Sequence, residues 1–348
     1  MSPTNASDFR MGTIGSVAIQ FAAVTERVAL EVARLEGSGT PERAYTLATE
    51  TFREELQEVP AAGRVAILRE ERPGGPSGSG RMRALKTRPG ILSVGDTLGD
   101  GELEVDLAVE PVEGLDLLSK GQEGSISAIA VAPRGTMLRT PDMYMSKLIV
   151  GPGAKGRIDI DAPVAENIEA IAEGMKRRPS EIAVAVLDRE RHEGLIEEIR
   201  KTGARIHIRP EGDLTPVVAV GLRGADLHAV IGIGGAPEGI LAAAVIRCLG
   251  GEMQAKMWPV YRSQVEKLRE YGLEDLERKL VLDDLIRSDD VVFAATGITP
   301  GETLNGVRYF RGGARTHTVV MSTEPRVVRF MDTIHALEPE AGLRGFQL

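Results

Sequence analysis

The segment Gly232-Ile-Gly-Gly-Ala-Pro-Glu-Gly239 joins an apolar strand, 227–233, to a helix predicted over 236–249. It reads as a glycine turn at a helix mouth with one carboxylate, Glu238, inside it. Backbone N–H groups at such a turn can meet an oxyanion, which marks Gly234 and Gly235 as ligand-binding candidates, and Glu238 can hold a cation. A strand, a glycine turn and a helix in this order are the unit of a layered α/β fold, and the flanking sequence repeats that alternation. Downstream of residue 160, helix 164–177 precedes strand 182–187, helix 190–202 precedes strand 205–208, and a helix near 213–220 leads back to strand 227–233. A helix near 261–272 and strands near 291–295, 316–321 and 327–330 complete the second half.

The first half opens differently. Val17, Phe21, Val24, Val28, Ala29, Val32 and Leu35 recur at helical spacing and predict an amphipathic helix over 14–35. Thr40-Pro41 reads as an N-cap followed by proline at the first helical position, opening a second helix to about Val59. A short strand follows at 64–68, then the Gly/Pro-rich stretch 69–90 with a basic cluster from Arg81 to Arg88, expected to be an exposed mobile loop and a candidate lid. Strand 105–109 ends at Glu110-Pro-Val-Glu-Gly-Leu115, and a further strand covers 125–131. The stretch 142–151 then leads into a second glycine turn, Gly151-Pro-Gly-Ala-Lys-Gly156. There is no internal repeat. The expected organisation is a loose tail over 1–11, an N-terminal lobe over 12–150 and a C-terminal lobe over 151–348.

Composition narrows the function. A chain of 348 residues with 42% hydrophobic and 27% charged residues has an ordinary globular balance. A net charge of −9 argues against a broad nucleic-acid surface while leaving room for local arginine clusters that bind small phosphates. The single cysteine, Cys248, allows no intrachain disulfide and suits a reducing cytoplasm. No apolar run reaches the roughly 20 residues that span a bilayer, and 1–10 lack the apolar stretch of a signal peptide.

The chemistry-bearing residues gather at predicted strand ends, where α/β folds place ligand sites. Glu110 and Glu113, three apart with proline and glycine shaping the turn, can share Mg²⁺ or Mn²⁺, which prefer oxygen ligands. Glu70 and Glu71 offer a further acidic arm, although Arg69 and Arg72 flank them. Arg189, Arg191 and His192 follow one strand, and Glu211-Gly-Asp213 follows the next. Arginines suit phosphate, and carboxylates suit sugar hydroxyls.

Four blocks carry a resemblance to a known family: Pro141-Asp-Met-Tyr-Met-Ser-Lys-Leu-Ile-Val-Gly-Pro-Gly-Ala-Lys-Gly156, Gly232–Gly239, Cys248-Leu-Gly-Gly-Glu-Met253 and Ser288-Asp-Asp-Val-Val-Phe-Ala-Ala-Thr-Gly-Ile298. Over residues 12–338 the chain resembles the class II fructose-1,6-bisphosphatases. The resemblance implies an α-β-α-β-α sandwich of the lithium-sensitive phosphatase superfamily. It also implies removal of the 1-phosphate from fructose 1,6-bisphosphate, in some members action on sedoheptulose 1,7-bisphosphate, and use of Mg²⁺ or Mn²⁺. On the sugar side the match is good: Tyr144, Arg189, Arg191 and Asp213 fall where the family binds the sugar phosphate, and Glu211 replaces an aspartate. On the metal side it departs. The family's Gly-Asp-Lys-x-x-x-Asp-Gly places its lysine on Pro41 and its aspartate on Tyr45. Its Gly-Glu-Gly-Glu falls on Leu68-Arg-Glu-Glu71, so a metal-binding glutamate becomes Arg69, with Glu70 one residue away. Its Asp-Pro-x-Glu-Gly-Thr has become Glu110-Pro-Val-Glu-Gly-Leu115, which replaces a hydroxyl by an apolar side chain. Glu238 matches outright.

These departures imply a phosphosugar-binding protein whose ancestral hydrolysis is lost or weakened. The expected acid/base groups are Tyr45, Glu110 and Glu113, and the expected metal ligands are Glu238, Glu110 and Glu70, with at most one tight Mg²⁺ or Mn²⁺ site. Three functions stay open: altered, non-hydrolytic chemistry on a ketose or related sugar phosphate; a surviving slow sugar bisphosphatase; and a non-catalytic subunit beside an active phosphatase. A cytoplasmic homo-oligomer is expected, with neither nucleic acid nor membrane as partner.

Overall fold

A computed structural model of the protein describes residues 13–69, 90–222 and 226–337. Helix α1 (Ala18–Ala33) and helix α2 (Pro41–Gln57) come first. Strands β1 (Ala62–Leu68), β2 (Thr97–Leu98) and β3 (Glu104–Glu113) follow, then helix α3 (Leu115–Ser119) and strands β4 (Ile126–Pro133) and β5 (Tyr144–Val150). Next come α4 (Val164–Met175), β6 (Ala183–Leu187), α5 (Glu193–Lys201), β7 (Arg205–Arg209), α6 (Leu214–Gly221) and β8 (Ala229–Gly235). The chain continues through α7 (Ala236–Leu249), β9 (Glu252–Trp258), α8 (Arg262–Glu270), β10 (Leu280–Val281) and α9 (Leu282–Leu285). It ends in β11 (Val292–Gly297), β12 (Arg308–Phe310), β13 (Gly313–Thr323) and β14 (Arg326–Ala336).

The strands form two sheets. One runs β12-β13-β11-β4-β3-β1-β2, with β14 paired along β13; the other runs β10-β9-β5-β8-β6-β7. Pairing is antiparallel except for β1 with β3, and β6 with both β7 and β8. Three apolar clusters show how the layers stack. Phe21, Val28, Phe52 and Leu56 of α1 and α2 cover the outer face of the first sheet. Ile168, Ile171, Ile196 and Ile199 of α4 and α5 cover the outer face of the second. Between the sheets lie α6 and α7, packed against Ala108, Ala130, Met145 and Ile149 from both inner faces. The result is the α-β-α-β-α sandwich. Helix α7 is buried nearly all round, which is why Ile240-Leu-Ala-Ala-Ala-Val-Ile246 shows no polar face.

A division of the chain at residue 150 does not follow the sheets. Strand β5 belongs to the second sheet, whereas β11 to β14 return from residues 292–336 to the first. With α7 shared by both sheets, the two expected lobes are one continuous body. Three local readings also change. Strand β3 does not stop before Glu110 but runs to Glu113, absorbing Pro111 at a register shift between Glu110 and Glu113. Gly232, Gly234 and Gly235 lie within β8, and the helix begins only at Ala236. The Thr40 hydroxyl bonds the Ser38 hydroxyl at 2.7 Å, and Thr40 makes no side-chain cap of α2. The candidate lid at 69–90, apart from its two end residues, and the candidate ligand Glu70 lie outside the described residues.

Candidate active site

At the ends of β3, β5, β6 and β8 the two sheets leave an open cleft of about 100 Å³. Its walls include Arg69, Glu110, Glu113, Leu115 and Glu238 on one side, and Tyr144, Arg189, Arg191, Glu211 and Asp213 on the other. The fold thus brings together the described sequence candidates except Tyr45. That tyrosine is buried on α2, where its hydroxyl donates to the Arg69 carbonyl at 2.9 Å. It positions Arg69 and is not a lining acid or base.

The antiparallel register of β5 and β8 sets Tyr144 opposite Gly235 and Lys147 opposite Gly232. Because Gly235 lacks a side chain, two charged groups can close over it. A Cβ there would lie 2.0 Å from Glu238 Oε2 and 2.8 Å from Arg69 Nη1. A Cβ at Gly234 would strike Asp213 Oδ2 at 2.3 Å and Lys147 Nζ at 2.7 Å. These glycines therefore make room for two ion pairs. In the first, Arg69 Nη1 donates to Glu238 Oε1 at 2.5 Å. In the second, Lys147 donates to Asp213 and, at 3.3 Å, to the Gly235 carbonyl, with the ammonium almost wholly buried.

Sequence reasoning passed over Lys147. The available signal was its place in β5: it shares a strand face with the buried Met145 and Ile149, and a charge on such a face requires a partner.

Glu113, at the end of β3, is buried and accepts the Leu214 N–H at 2.7 Å, the Thr215 N–H at 3.3 Å and the Thr215 hydroxyl at 3.2 Å. It ties the first sheet to the start of α6. Burial, and next the charge of Asp213, push its carboxyl up to about 8, against the pull of the two N–H donors. Glu113 is thus mostly protonated at neutral pH.

A folded-state proton affinity above that of the unfolded chain contributes stability below about 4.5, and that contribution is lost as the pH rises towards about 8. We expect the melting temperature of Glu113→Gln to gain on that of the wild type as pH rises through this window. Parallel melting profiles of the two proteins would rule out this titration.

The opposite wall is arginine-rich. Arg191 donates to the Ile233 carbonyl at 2.8 Å and stacks over the Tyr144 ring, 4.6 Å from its centroid. Arg189 donates to the carbonyls of Asp188 and Pro210, both at 2.7 Å. His192 is buried and locks this wall: its Nε2 accepts the Ile233 N–H at 2.8 Å, so Nδ1 carries the proton and donates to the Leu187 carbonyl at 2.8 Å. Burial holds its basicity down, followed in the same direction by the Arg191 charge. Glu211 also lines the cleft. Burial first, then the charge of Asp116, raises its carboxyl, and its Oε2 has no hydrogen-bond partner. Leu115 opens α3 after Gly114, whose φ of +74° suits glycine, and its side chain joins the core under the first sheet.

The described residues, which do not include Glu70 and Glu71, do not by themselves make a two-metal centre. Glu238 gives Oε1 to a guanidinium and keeps a buried Oε2 with no hydrogen-bond partner, and Glu113 is turned to the Leu214 and Thr215 donors. Among the described residues no group of three or more His, Cys, Asp or Glu is placed to hold a metal ion. At an effective dielectric of about 20, a guanidinium ~4 Å from a dication is repelled by several kcal/mol. The geometry suits binding of an anion: arginines on both walls, an aromatic face at Tyr144 and carboxylates for hydroxyl groups.

Comparison with known proteins agrees with this architecture. Residues 15–335 match the family model described as bacterial fructose-1,6-bisphosphatase, glpX-encoded. The chain is 38% identical to a D-fructose 1,6-bisphosphatase class 2/sedoheptulose 1,7-bisphosphatase of Synechococcus sp. (strain JA-2-3B'a(2-13)), with 95% of this chain and 98% of that protein aligned. Proteins of the same description are 37% identical in Synechococcus elongatus and 36% identical in Gloeobacter violaceus, each over 93% of this chain and 97% of the relative. Among the described residues, no helix is long and apolar enough to cross a membrane.

Proposed function

The chain belongs to the bacterial glpX-encoded fructose-1,6-bisphosphatase family, and from that membership we propose that it binds a ketose bisphosphate or related sugar phosphate while its metal-dependent hydrolysis is lost or strongly weakened. The observation that carries this reading is the 2.5 Å ion pair between Arg69 and Glu238. Phosphoester hydrolysis at a two-metal site needs cations that neutralise charge and a positioned, deprotonated water. Arg69 supplies a fixed positive charge, which can bind phosphate, but it cannot acidify a water as a metal does. Leu115 supplies no hydroxyl to orient one. In this reading Arg69, Arg189 and Arg191 hold phosphate groups, Tyr144 packs on the sugar, and Asp213 and Glu211 accept its hydroxyl groups. Any remaining acid/base work falls to Glu113, protonated at neutral pH, and Glu110. A divalent cation, Mg²⁺ or Mn²⁺, is limited to at most one site at Glu110 and Glu238, reached only when Arg69 leaves. The subunits assemble as a homo-oligomer in the cytoplasm.

Fructose 1,6-bisphosphate should raise the melting temperature by a few degrees, since a ligand at 100 times its Kd stabilises by about 2.7 kcal/mol. Arg191→Ala should abolish the shift by removing charge-assisted hydrogen bonds. A wild-type protein that shows no shift with any sugar phosphate at millimolar concentration refutes the binding reading. Mass spectrometry of the same mixtures distinguishes the chemistries. Conversion without phosphate release supports altered chemistry, and binding without turnover supports a non-catalytic subunit.

A second reading is favoured by the relatives, which are described as fructose-1,6- and sedoheptulose-1,7-bisphosphatases at 36–38% identity. In it the chain remains a sugar bisphosphatase, with the Arg69–Glu238 pair opening on metal binding. Robust Mn²⁺-dependent phosphate release, lost in Glu238→Gln, would establish it.

A further inference from the structure

The glycine turn Gly151–Gly156 and the buried His228 play no part in the cleft, yet they meet at the other end of the second sheet. Strand β5 runs from Tyr144, in the cleft, to Val150, and Gly151 follows. At about 3.3 Å per residue this places the turn roughly 20 Å from the cleft. There a cavity of about 610 Å³ opens, six times the volume of the cleft, with Gly151, Gly153, Met175, Arg177, His228 and Leu249 among its walls. Its lining is largely apolar side chain and bare backbone. The glycines are needed for the fit: a Cβ at Gly151 would lie 2.4 Å from the Val220 carbonyl oxygen.

One polar group in this wall is unsatisfied. His228 is only 2% exposed, and its Nδ1 accepts the Ala183 N–H at 2.9 Å. Nδ1 is therefore the unprotonated nitrogen and Nε2 carries the hydrogen. That Nε2–H is buried with no hydrogen-bond partner. An unmade hydrogen bond of this kind is costly, and such groups are rare in folded proteins. Arg177, exposed at the mouth, adds positive charge close to the ring, and Arg205 adds more; Asp226 is the opposing charge.

We propose that this cavity is a second ligand site, separate from the cleft, for a small molecule with an apolar body and one oxyanion group, a carboxylate or a phosphate. The His228 Nε2–H donates to an oxygen of that group, Arg177 neutralises it at the mouth, and Met175 and Leu249 enclose the apolar body. Helix α6 runs between the two sites. Its first N–H groups hold Glu113, and Val220 and Gly221 at its far end line this cavity.

The test uses the full-length chain, with excess fructose 1,6-bisphosphate to occupy the arginine-lined cleft, and saturation-transfer NMR with benzoate and phenylphosphonate at millimolar concentration, with uncharged benzamide as control. Both anions should receive saturation, and benzamide should bind at least several-fold more weakly. Arg177→Ala should weaken binding about tenfold, as expected for a hydrogen-bonded charge. His228→Asn keeps an acceptor for Ala183 and removes the Nε2–H, and should weaken binding to a similar extent. Gly153→Leu should block it. A Cβ at Gly153 sits 3.4 Å from Met175, an ordinary contact, so the added side chain starts without a clash and decides the matter even if His228→Asn does not fold. Arg191→Ala, which alters only the cleft, should leave binding unchanged. No saturation transfer, transfer that survives Arg177→Ala and Gly153→Leu, or transfer lost in Arg191→Ala would each overturn the proposal.

Discussion

Given fructose 1,6-bisphosphate and Mn²⁺, the wild-type protein should release phosphate at least about 10³-fold more slowly than a family member with its acidic arms intact, because groups that act as one catalytic unit fail together. The structure supplies the reasons. Arg69 sits on Glu238, and Leu115 presents an apolar side chain to the cleft where the proposed reading expects a hydroxyl. Leu115→Thr alone should recover little, since a hydroxyl without a cation has no activated water to orient. Arg69→Glu alone should also recover little, because it adds an acid beside Glu238 and Glu113 without restoring the lost hydroxyl. The combined change of Pro41→Lys, Tyr45→Asp, Arg69→Glu, Glu110→Asp and Leu115→Thr should recover more than the product of the single effects. Phosphate release by wild type, single variants and the combined variant measures this directly. Fast release by the wild type would overturn it.

Removal of the buried lysine should have the largest effect on stability. Lys147→Met leaves Asp213 buried beside Glu113 with its cation gone, and breaking a buried pair in this way costs about 3–5 kcal/mol. Asp213 is also the residue that precedes α6, whose first N–H groups hold Glu113. The damage should therefore reach the cleft and weaken phosphosugar binding. Replacing both partners, Lys147→Met with Asp213→Leu, removes the orphaned charge and should recover much of the stability but none of the binding. Urea unfolding of the two variants and the wild type checks the order. A single variant as stable as the double would show that the pair contributes little.

Much of the layered fold was legible because its signals are local. The spacing of Phe21, Val24, Val28 and Val32 gives α1, and the fully apolar 240–246 fits a helix packed on both sides. Signals that depend on tertiary partners were misread. Glu110-Pro-Val-Glu113 looked like a turn after the strand, but a proline is tolerated at an irregularity, and the register shift between Glu110 and Glu113 lies there. The glycines of 232–235 looked like a turn, and their purpose shows only once Arg69, Glu238, Lys147 and Asp213 converge on them from four other places in the chain. Strand β9 went unread after Gly250 and Gly251. That Arg189, Arg191, Glu211 and Asp213 share one cleft was legible because they stand at strand ends. Lys147 was not, because a lysine in a strand normally faces water and its acidic partner lies 66 positions away.

If a guanidinium takes the place of a cation at Glu238, a calorimetric titration of the wild type and Arg69→Ala with Mn²⁺ will show it. We expect at most one weak site in the wild type, tighter binding when Arg69 is removed, and loss of that site in Glu238→Gln. Two tight sites per chain in the wild type, unaffected by Arg69→Ala, would show that Arg69 does not occupy a cation's place.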